Sequence, residues 1–334
     1  MKKVLILGGT GVMGAYLVEY LLELGFKVDA VSLDNMVSNN KNLRYFTANC
    51  KNIVFLQNIL KNEYDSIVDF MMYGTEEFRN IHKLFLNNTA QYVFLSSYRV
   101  YADKEHPIKE SSPRLLDVSE DKEYLASDDY SLYKARSEDI LKQSGYSNWT
   151  VVRPAITYSN QRIQLTCLEA NTILNRARLG KPVVLAKETL DVQATMTWGG
   201  DVAKMISRLV CNPYSLGEIY NVATAEHQPW KKVAEYYKEF ISLDYVAVDL
   251  DEFLSIRSDE DYLPYRWKLI YDRMFDRIVD NRKILNTVDM KQNEIMTIYD
   301  GLKQEIQRIP ENMIIGNMNY SDRMDKFLER YGKN

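Results

Sequence analysis

Cysteine and histidine are scarce in this chain. Its 334 residues include three of each: Cys50, Cys167 and Cys211, and His82, His106 and His227. No two cysteines stand in C-x-x-C spacing, which argues against a disulfide framework or a zinc site and for a reducing, cytoplasmic compartment. The histidines are equally scattered, so no metal-ligand cluster is expected. No run of about 18 apolar residues occurs, so no membrane span is expected. Residues 4–7 are too short for a signal-peptide core, and Gly8 and Gly9 end them. There is no excess of positive charge: 42 Lys and Arg face 46 Asp and Glu, a net charge of −4. Nucleic acid is therefore not an expected partner. Internal repeats and low-complexity linkers are also missing.

What is present is ordinary for a folded protein. The apolar fraction is 46% and the charged fraction 26%. The length suits one large domain or two smaller ones. Tyrosine is abundant, at 24 residues. Its apolar body and polar tip suit either core packing or a ligand cleft.

Two periods alternate through the first half. Residues 4–7 read as a strand buried on both faces. Residues 12–24 put Val12, Met13, Tyr16, Leu17, Tyr20, Leu21 and Leu24 on a helix, and Gly25 suits its stop. Further strands are expected at 28–33, 43–48, 66–72, 92–96 and 150–153. Helices are expected at 53–60, 78–86 and 128–143. This order predicts an α/β fold with a doubly wound parallel sheet and right-handed crossovers. Beyond residue 160 the pattern loosens. Helices are expected at 166–179, 200–210, 230–241 and 293–308, and a strand at 219–222.

The first strand runs into Gly8-Gly9-Thr10-Gly11-Val12-Met13-Gly14. Gly8 allows a tight turn, Gly11 lets the backbone approach a pyrophosphate, and Gly14 lets the helix pack on the sheet. The helix N-terminus adds N–H donors and the positive end of its dipole. Flanked by a strand and a helix, the turn predicts a Rossmann-like dinucleotide site over Gly8, Thr10, Gly11, Val12, Met13 and Gly14. The alternative is a purely structural turn. Asp34, 20 residues after Gly14, has the spacing to bond the adenosine ribose, whereas the strand-end position itself falls at Ser32. Neither Leu33 nor Asn35 is basic, which favours NAD and leaves NADP open. The expected organisation is a dinucleotide-binding region over 1–160 plus part of 190–225. A smaller, mostly C-terminal, substrate-binding α/β region covers 161–190 and 226–334.

Tyr130 and Lys134 stand at i and i+4 on one helix face. Phenol is a poor base at neutral pH; a nearby ammonium favours the phenolate, which then gives or takes a proton. A hydroxyl at the end of the fifth strand steadies a developing oxyanion. Ser97 is the candidate, with Ser96 the alternative. Alone, the Tyr/Lys pair is also what an exposed helix face shows by chance.

Taken together, these motifs resemble the extended short-chain dehydrogenase/reductases, and within them the NAD-dependent epimerase/dehydratase group that acts on nucleotide sugars. The resemblance rests on Gly8 to Gly14, Val93 to Tyr101, Tyr130 to Lys134, Val152-Arg153-Pro154, Asp201-Val202-Ala203, Gly217 to Val222 and Asp280-Asn281-Arg282-Lys283. It implies Ser97, Tyr130 and Lys134 as catalytic residues, and NAD or NADP as cofactor. It also implies that Asn49, Cys50, Phe70, Met71, Met72 and Pro154 line that cofactor together with Tyr130 and Lys134. For Met71, Met72 and Tyr73 core packing is an equal reading. Substrate-side candidates are Tyr98, Arg99, Thr157 and Arg273. Thr157 also reads as a turn residue, and Arg273 as a solvated surface arginine rather than an anion clamp. Family members commonly dimerise through a four-helix bundle, which suggests a homodimer through the Tyr130 helix.

Several positions depart from the family's pattern. Its 4,6-dehydratases carry an Asp-Glu pair after the triad residue, where this chain has Tyr98 and Arg99. Water elimination needs an acid and a base beyond the tyrosine, so dehydratase is disfavoured. Asn49 replaces an aspartate that contacts adenine. The arginine that 4-epimerases of UDP-galactose set against the pyrophosphate falls at Ala194. The resulting expectation is a reductase of a nucleotide-linked 4-keto sugar, Tyr130 protonating the oxygen and Lys134 holding ribose hydroxyls. Alternatives are a 4-epimerase using the same residues, and a non-catalytic cofactor- or RNA-binding relative.

Overall fold

The computed structural model describes residues 1–159, 162–257, 259–310 and 319–332. The chain divides into two compact units. The first comprises Met1–Thr157, Thr197–Ala225 and Val279–Ile295. The second comprises Tyr158–Met196, Glu226–Ile278 and Met296–Asn334.

The first unit is built on seven strands: β1 (Lys3–Leu7), β2 (Lys27–Ser32), β3 (Leu43–Thr47), β4 (Ser66–Asp69), β5 (Tyr92–Leu95), β6 (Trp149–Pro154) and β7 (Glu218–Val222). Their order is β7-β6-β5-β4-β1-β2-β3, and every neighbouring pair is parallel. The α/β doubly wound sheet read from the sequence is the sheet observed. The helices are α1 (Gly14–Glu23), α2 (Ile53–Ile59), α3 (Thr75–Leu86), α4 (Tyr130–Lys142), α5 (Gly199–Leu209) and α6 (Arg282–Val288), together with short turns.

Alternation along β1 splits the core in two, because successive side chains face opposite sides of a sheet. Val4 and Ile6 pack with Leu17, Val18 and Leu21 of α1 and with Val202, Met205 and Ile206 of α5. Ile284, Leu285 and Val288 of α6 join that layer, which brings Val279–Ile295 into the first unit. Leu5 and Leu7 face the other way, onto Leu56 and Ile59 of α2, Phe78 and Phe85 of α3, and Ile140 and Leu141 of α4. The central strands β4, β5 and β6 are buried along their whole length. With both faces covered, none of them shows a strict polar/apolar alternation, and β4 and β6 bury Ser66, Asp69, Thr150 and Arg153 beside their apolar residues.

Two elements of this unit differ from the sequence reading, each for a local reason. The strand expected over 66–72 ends at Asp69, whose carboxylate accepts the Met71 N–H at 2.9 Å and turns the chain. The helix expected from residue 78 starts at Thr75, because Asp128 caps it from 53 residues away. The Asp128 carboxylate accepts from Thr75 N at 2.9 Å and from Thr75 Oγ1 at 2.5 Å.

In the second unit, Val183–Ala186 pairs in parallel with Tyr245–Val248. The helix expected from residue 166 begins at Ala170. Thr166 sits at φ +50°, at the tip of a tight antiparallel pair formed by Gln164–Leu165 and Leu168–Glu169. The helix Trp230–Ile241 matches its expected span, and the one expected over 293–308 is shorter, Ile298–Gln307. Among the described residues, no helix is long and apolar enough to cross a membrane.

Candidate active site

Helix α4 starts at a built N-cap. The Asp129 carboxylate accepts from Ser131 N at 3.1 Å and from Ser131 Oγ at 2.8 Å, an arrangement that satisfies a first-turn donor. From there Tyr130, Lys134 and Glu138 recur every fourth residue and form one stripe. Tyr130, at the mouth of the stripe, is half-buried, while Lys134 and Glu138 are fully buried.

The Lys134 ammonium donates to the Leu95 carbonyl oxygen at 2.5 Å, where β5 ends. It lies 4.9 Å from the centre of the Phe94 ring and 5.9 Å from that of Tyr130. Burial lowers its pKa to about 8, while the Asp69 and Glu138 carboxylates favour the charged form. Asp69 is itself fully buried, and burial raises its pKa to about 6. It accepts from Tyr92 Oη at 2.8 Å and from Met71 N at 2.9 Å. Lys134 and Asp69 thus lie out of water, and each favours the charged form of the other.

Glu138 anchors the deep end of the stripe. Its carboxylate accepts from Arg153 Nε at 2.8 Å and Nη2 at 2.5 Å, and from Ser96 Oγ at 2.5 Å. Burial works against this carboxylate, yet Arg153, Ser96 and Arg114 hold it below the ordinary glutamate range. Arg153 reaches on to Tyr101 Oη at 2.7 Å, and Tyr101 donates to Asn221 Oδ1 at 2.6 Å. Ser96, the alternative to Ser97, is thus committed to this network.

Ser97 opens the turn that follows β5, and its hydroxyl accepts the Arg99 N–H at 3.2 Å. The Arg99 guanidinium carbon lies 5.0 Å from the centre of the Tyr130 ring, and Nη2 lies 3.8 Å from Asp129 Oδ1. The Ser97 turn and the start of α4 are joined through Arg99. Tyr98 is buried.

The glycine turn occupies the end of β1. Gly8 sits at φ +88°, and its carbonyl accepts the Gly11 N–H at 3.2 Å. A Cβ on Gly14 would stand 2.2 Å from that same Gly8 oxygen, so only glycine fits. Met13, at the N-cap of α1, makes no side-chain hydrogen bond to the first turn. Backbone donors at a tight turn and an uncapped helix start fit a pyrophosphate. Thr10 donates to Asp34 Oδ2 at 2.5 Å, which ties the turn to the segment after β2. Strand β2 ends at Ser32, and Ser32 Oγ accepts the Asp34 N–H at 2.9 Å. Val12 is partly exposed beside them.

The other expected residues fall as follows. Asn49 is exposed, and its side-chain oxygen accepts the Lys51 N–H at 2.9 Å. Cys50 is buried, and burial pushes its thiol up to about 11. Phe70 N donates to the Leu7 carbonyl at 3.0 Å, beside Gly8. Met71 is half-buried, Met72 is exposed, and Tyr73 is core. Pro154 ends β6 in register with Val222, and Thr157 Oγ1 donates to the Ala155 carbonyl at 3.2 Å. Arg273 lies in the second unit and is not a solvated surface residue. It is buried, donates to the Thr166 carbonyl at 2.7 Å and to Gln164 Oε1 at 3.0 Å, and pairs with Asp272. Its donors point into its own unit, a correction to the surface reading. Asp69, Glu138 and Asp129 were not read from the sequence as site residues. The recurrence at 130, 134 and 138 was the available signal for Glu138. Among the described residues, no group of three or more His, Cys, Asp or Glu side chains is placed to hold a metal ion.

A doubly wound α/β unit with a glycine turn and a Tyr/Lys helix at one sheet defines a dinucleotide-binding class of protein. The chain belongs to the NAD dependent epimerase/dehydratase family, whose sequence profile matches residues 4–223. No curated protein matches the chain by sequence. Among solved structures it is similar to an epimerase from Methanothermobacter thermautotrophicus, at 14% identity and a TM-score of 0.68, covering 98% of this chain and 94% of that one. A UDP-N-acetylglucosamine 4-epimerase from Methanobrevibacter ruminantium, in complex with UDP-N-acetylmuramic acid, is 17% identical with a TM-score of 0.68, covering 92% and 97%. A dTDP-glucose 4,6-dehydratase from Bacillus anthracis, in complex with NAD, is 18% identical with a TM-score of 0.66, covering 92% and 96%. At these identities the likeness is one of fold.

Proposed function

We propose that this protein is an NAD-dependent oxidoreductase that reduces the 4-keto group of a nucleotide-linked sugar. The observation that carries the reading is the placement of the buried Lys134 ammonium 5.9 Å from the Tyr130 ring, on the stripe that Tyr130 opens. When bound, the nicotinamide supplies the hydride chemistry. Gly8, Gly11 and the first turn of α1 would hold the dinucleotide's pyrophosphate. Ser32 and Asp34 lie at the ribose end. Tyr130 gives its proton to the sugar oxygen as charge develops there. Ser97 donates a hydrogen bond to that oxygen. Lys134 favours the phenolate left behind, and its charge is sustained by Asp69 and Glu138.

Elimination of water is not part of this reading. The residues after Ser97 are Tyr98 and Arg99, and Arg99 faces Asp129 and Tyr130 as a cation. A 4-epimerase is the second reading, because it would use the same Ser97, Tyr130 and Lys134. The test combines the protein, NADH or NADPH, and a panel of nucleotide 4-keto sugars, with cofactor absorbance and product analysis. Net consumption of reduced cofactor with a reduced sugar supports the reductase. Sugar inversion without consumption, by protein that retains NAD, supports the epimerase. Failure of both with every sugar overturns the proposal.

A further inference from the structure

We propose that Arg99 is a positioning residue that locks the Ser97 turn onto the start of α4 and thereby sets the Tyr130 phenol against the Ser97 hydroxyl. The inference rests on the reading of Tyr130 and Ser97 given above. Three contacts made by one residue carry it. The Arg99 backbone N–H donates to Ser97 Oγ at 3.2 Å. Its guanidinium carbon lies 5.0 Å from the centre of the Tyr130 ring. Its Nη2 lies 3.8 Å from Asp129 Oδ1.

Asp129 is no passive counter-ion. Its Oδ1 also caps α4 through Ser131 N and Ser131 Oγ. Arg99 therefore stands at ion-pair distance, 3.8 Å, from the atom that caps the helix one residue before Tyr130. The side chain is only 15% exposed, so its ion pair and its ring contact are partly shielded from water. A cation near a desolvated tyrosine ring is worth more than one in solvent. Ser97 and Tyr130 belong to a strand end and a helix start that are 33 positions apart in sequence. The Lys134 contact at Leu95 holds the helix one turn deeper, and Arg99 closes the arrangement at its open end.

The planar guanidinium matters here, because it spans a carboxylate and an aromatic face at once. A lysine at this position keeps the charge but reaches only one of them well. An alanine keeps the backbone N–H on Ser97 and loses both side-chain contacts.

The test uses the full-length protein with tyrosine rings labelled for NMR, the Tyr130 signal being assigned by its loss in Tyr130→Phe. Arg99→Ala, Arg99→Met and Arg99→Lys are compared, with circular dichroism to confirm folding. The Tyr130 signal is expected to move in Arg99→Ala and Arg99→Met, and much less in Arg99→Lys. With a sugar that is turned over, Arg99→Ala and Arg99→Met should lower kcat about five- to tenfold with the KM for NADH unchanged. Arg99→Lys should recover a large part of that loss. An unmoved Tyr130 signal in Arg99→Met overturns the inference, as does an effect confined to the KM for NADH. A moved signal with no turnover of any sugar upholds the positioning role and counts against the proposed reaction alone.

Discussion

Lys134 Nζ sits between the Leu95 carbonyl oxygen, at 2.5 Å, and the ring of Tyr130, whose centre is 5.9 Å away. The first contact fixes the ammonium and the second gives it an object. Replacing Tyr130 by phenylalanine removes the proton donor and leaves the packing intact. Tyr130→Phe is expected to lower turnover about 10²–10⁴-fold while NADH affinity stays nearly unchanged. Steady-state kinetics with a fluorescence titration of NADH measures both. Full activity in this variant would sink the mechanism.

The buried pair of Asp69 and Lys134 gives a pH dependence whose sign follows from the two shifts. Asp69 titrates higher in the fold than in the unfolded chain, at about 6 rather than 3.8. Its contribution to stability is present below the lower value and is lost as pH rises through about 6. Lys134 titrates lower in the fold, at about 8 rather than 10.5. Its burial costs stability below pH 8, and that cost is relieved as pH rises from about 8 to 10.5. Asp69→Asn is expected to remove the decline in thermal midpoint between about pH 4 and 6. By removing a carboxylate that favours the Lys134 ammonium, it should also shift to lower pH any alkaline limb of kcat/KM that Lys134 sets. A midpoint profile identical to that of the wild type would contradict this assignment.

Glu138 and Arg153 form a buried ion pair, with side chains 0% and 1% exposed. Removing one partner strands the other charge. Glu138→Gln is expected to destabilise the fold by about 3–5 kcal/mol, read from urea unfolding. The corresponding isosteric change Asp117→Asn, at a carboxylate half exposed beside Arg114, should cost about 1 kcal/mol or less.

Two glycines of the first turn should separate folding from binding. A methyl on Gly14 meets the Gly8 oxygen at 2.2 Å, whereas on Gly11 it meets that oxygen at 3.4 Å. Gly14→Ala is expected to lower the melting temperature of the cofactor-free protein. Gly11→Ala should leave it unchanged within a degree or so and weaken NADH binding, because the added methyl occupies the backbone's approach to phosphate. Calorimetry of the free protein and titration with NADH distinguish the two.

Much of the fold was legible because Val4–Leu7 of β1 and Tyr92–Leu95 of β5 are apolar runs buried on both faces. Gly8 to Gly14 was legible because backbone geometry there admits so few residues. What the sequence hid is long-range. Asp128 caps α3 across 53 residues, and nothing near Thr75 announces it. Asp69 reads as the polar middle of a strand until its carboxylate turns the chain at Met71. Arg153 was visible as part of a strand-end motif, but its partner Glu138 lies on another element. Arg273, read from the sequence as an anion clamp or else a solvated surface residue, is held by Gln164 and Thr166, more than a hundred positions earlier. Local periodicity reports burial well and pairing poorly.

The Glu138–Arg153 pair has a mechanical side as well. A helix packed only by apolar side chains can slip or roll a little at small cost. Two hydrogen bonds from a guanidinium anchored in β6 give α4 one angular setting and one height above the sheet. Glu138 is two turns from Tyr130 along the same stripe, so any roll of the helix is felt at both ends. The deep ion pair works as an indexing pin, and the tolerance to which the phenol is held at the mouth is set in the dry interior.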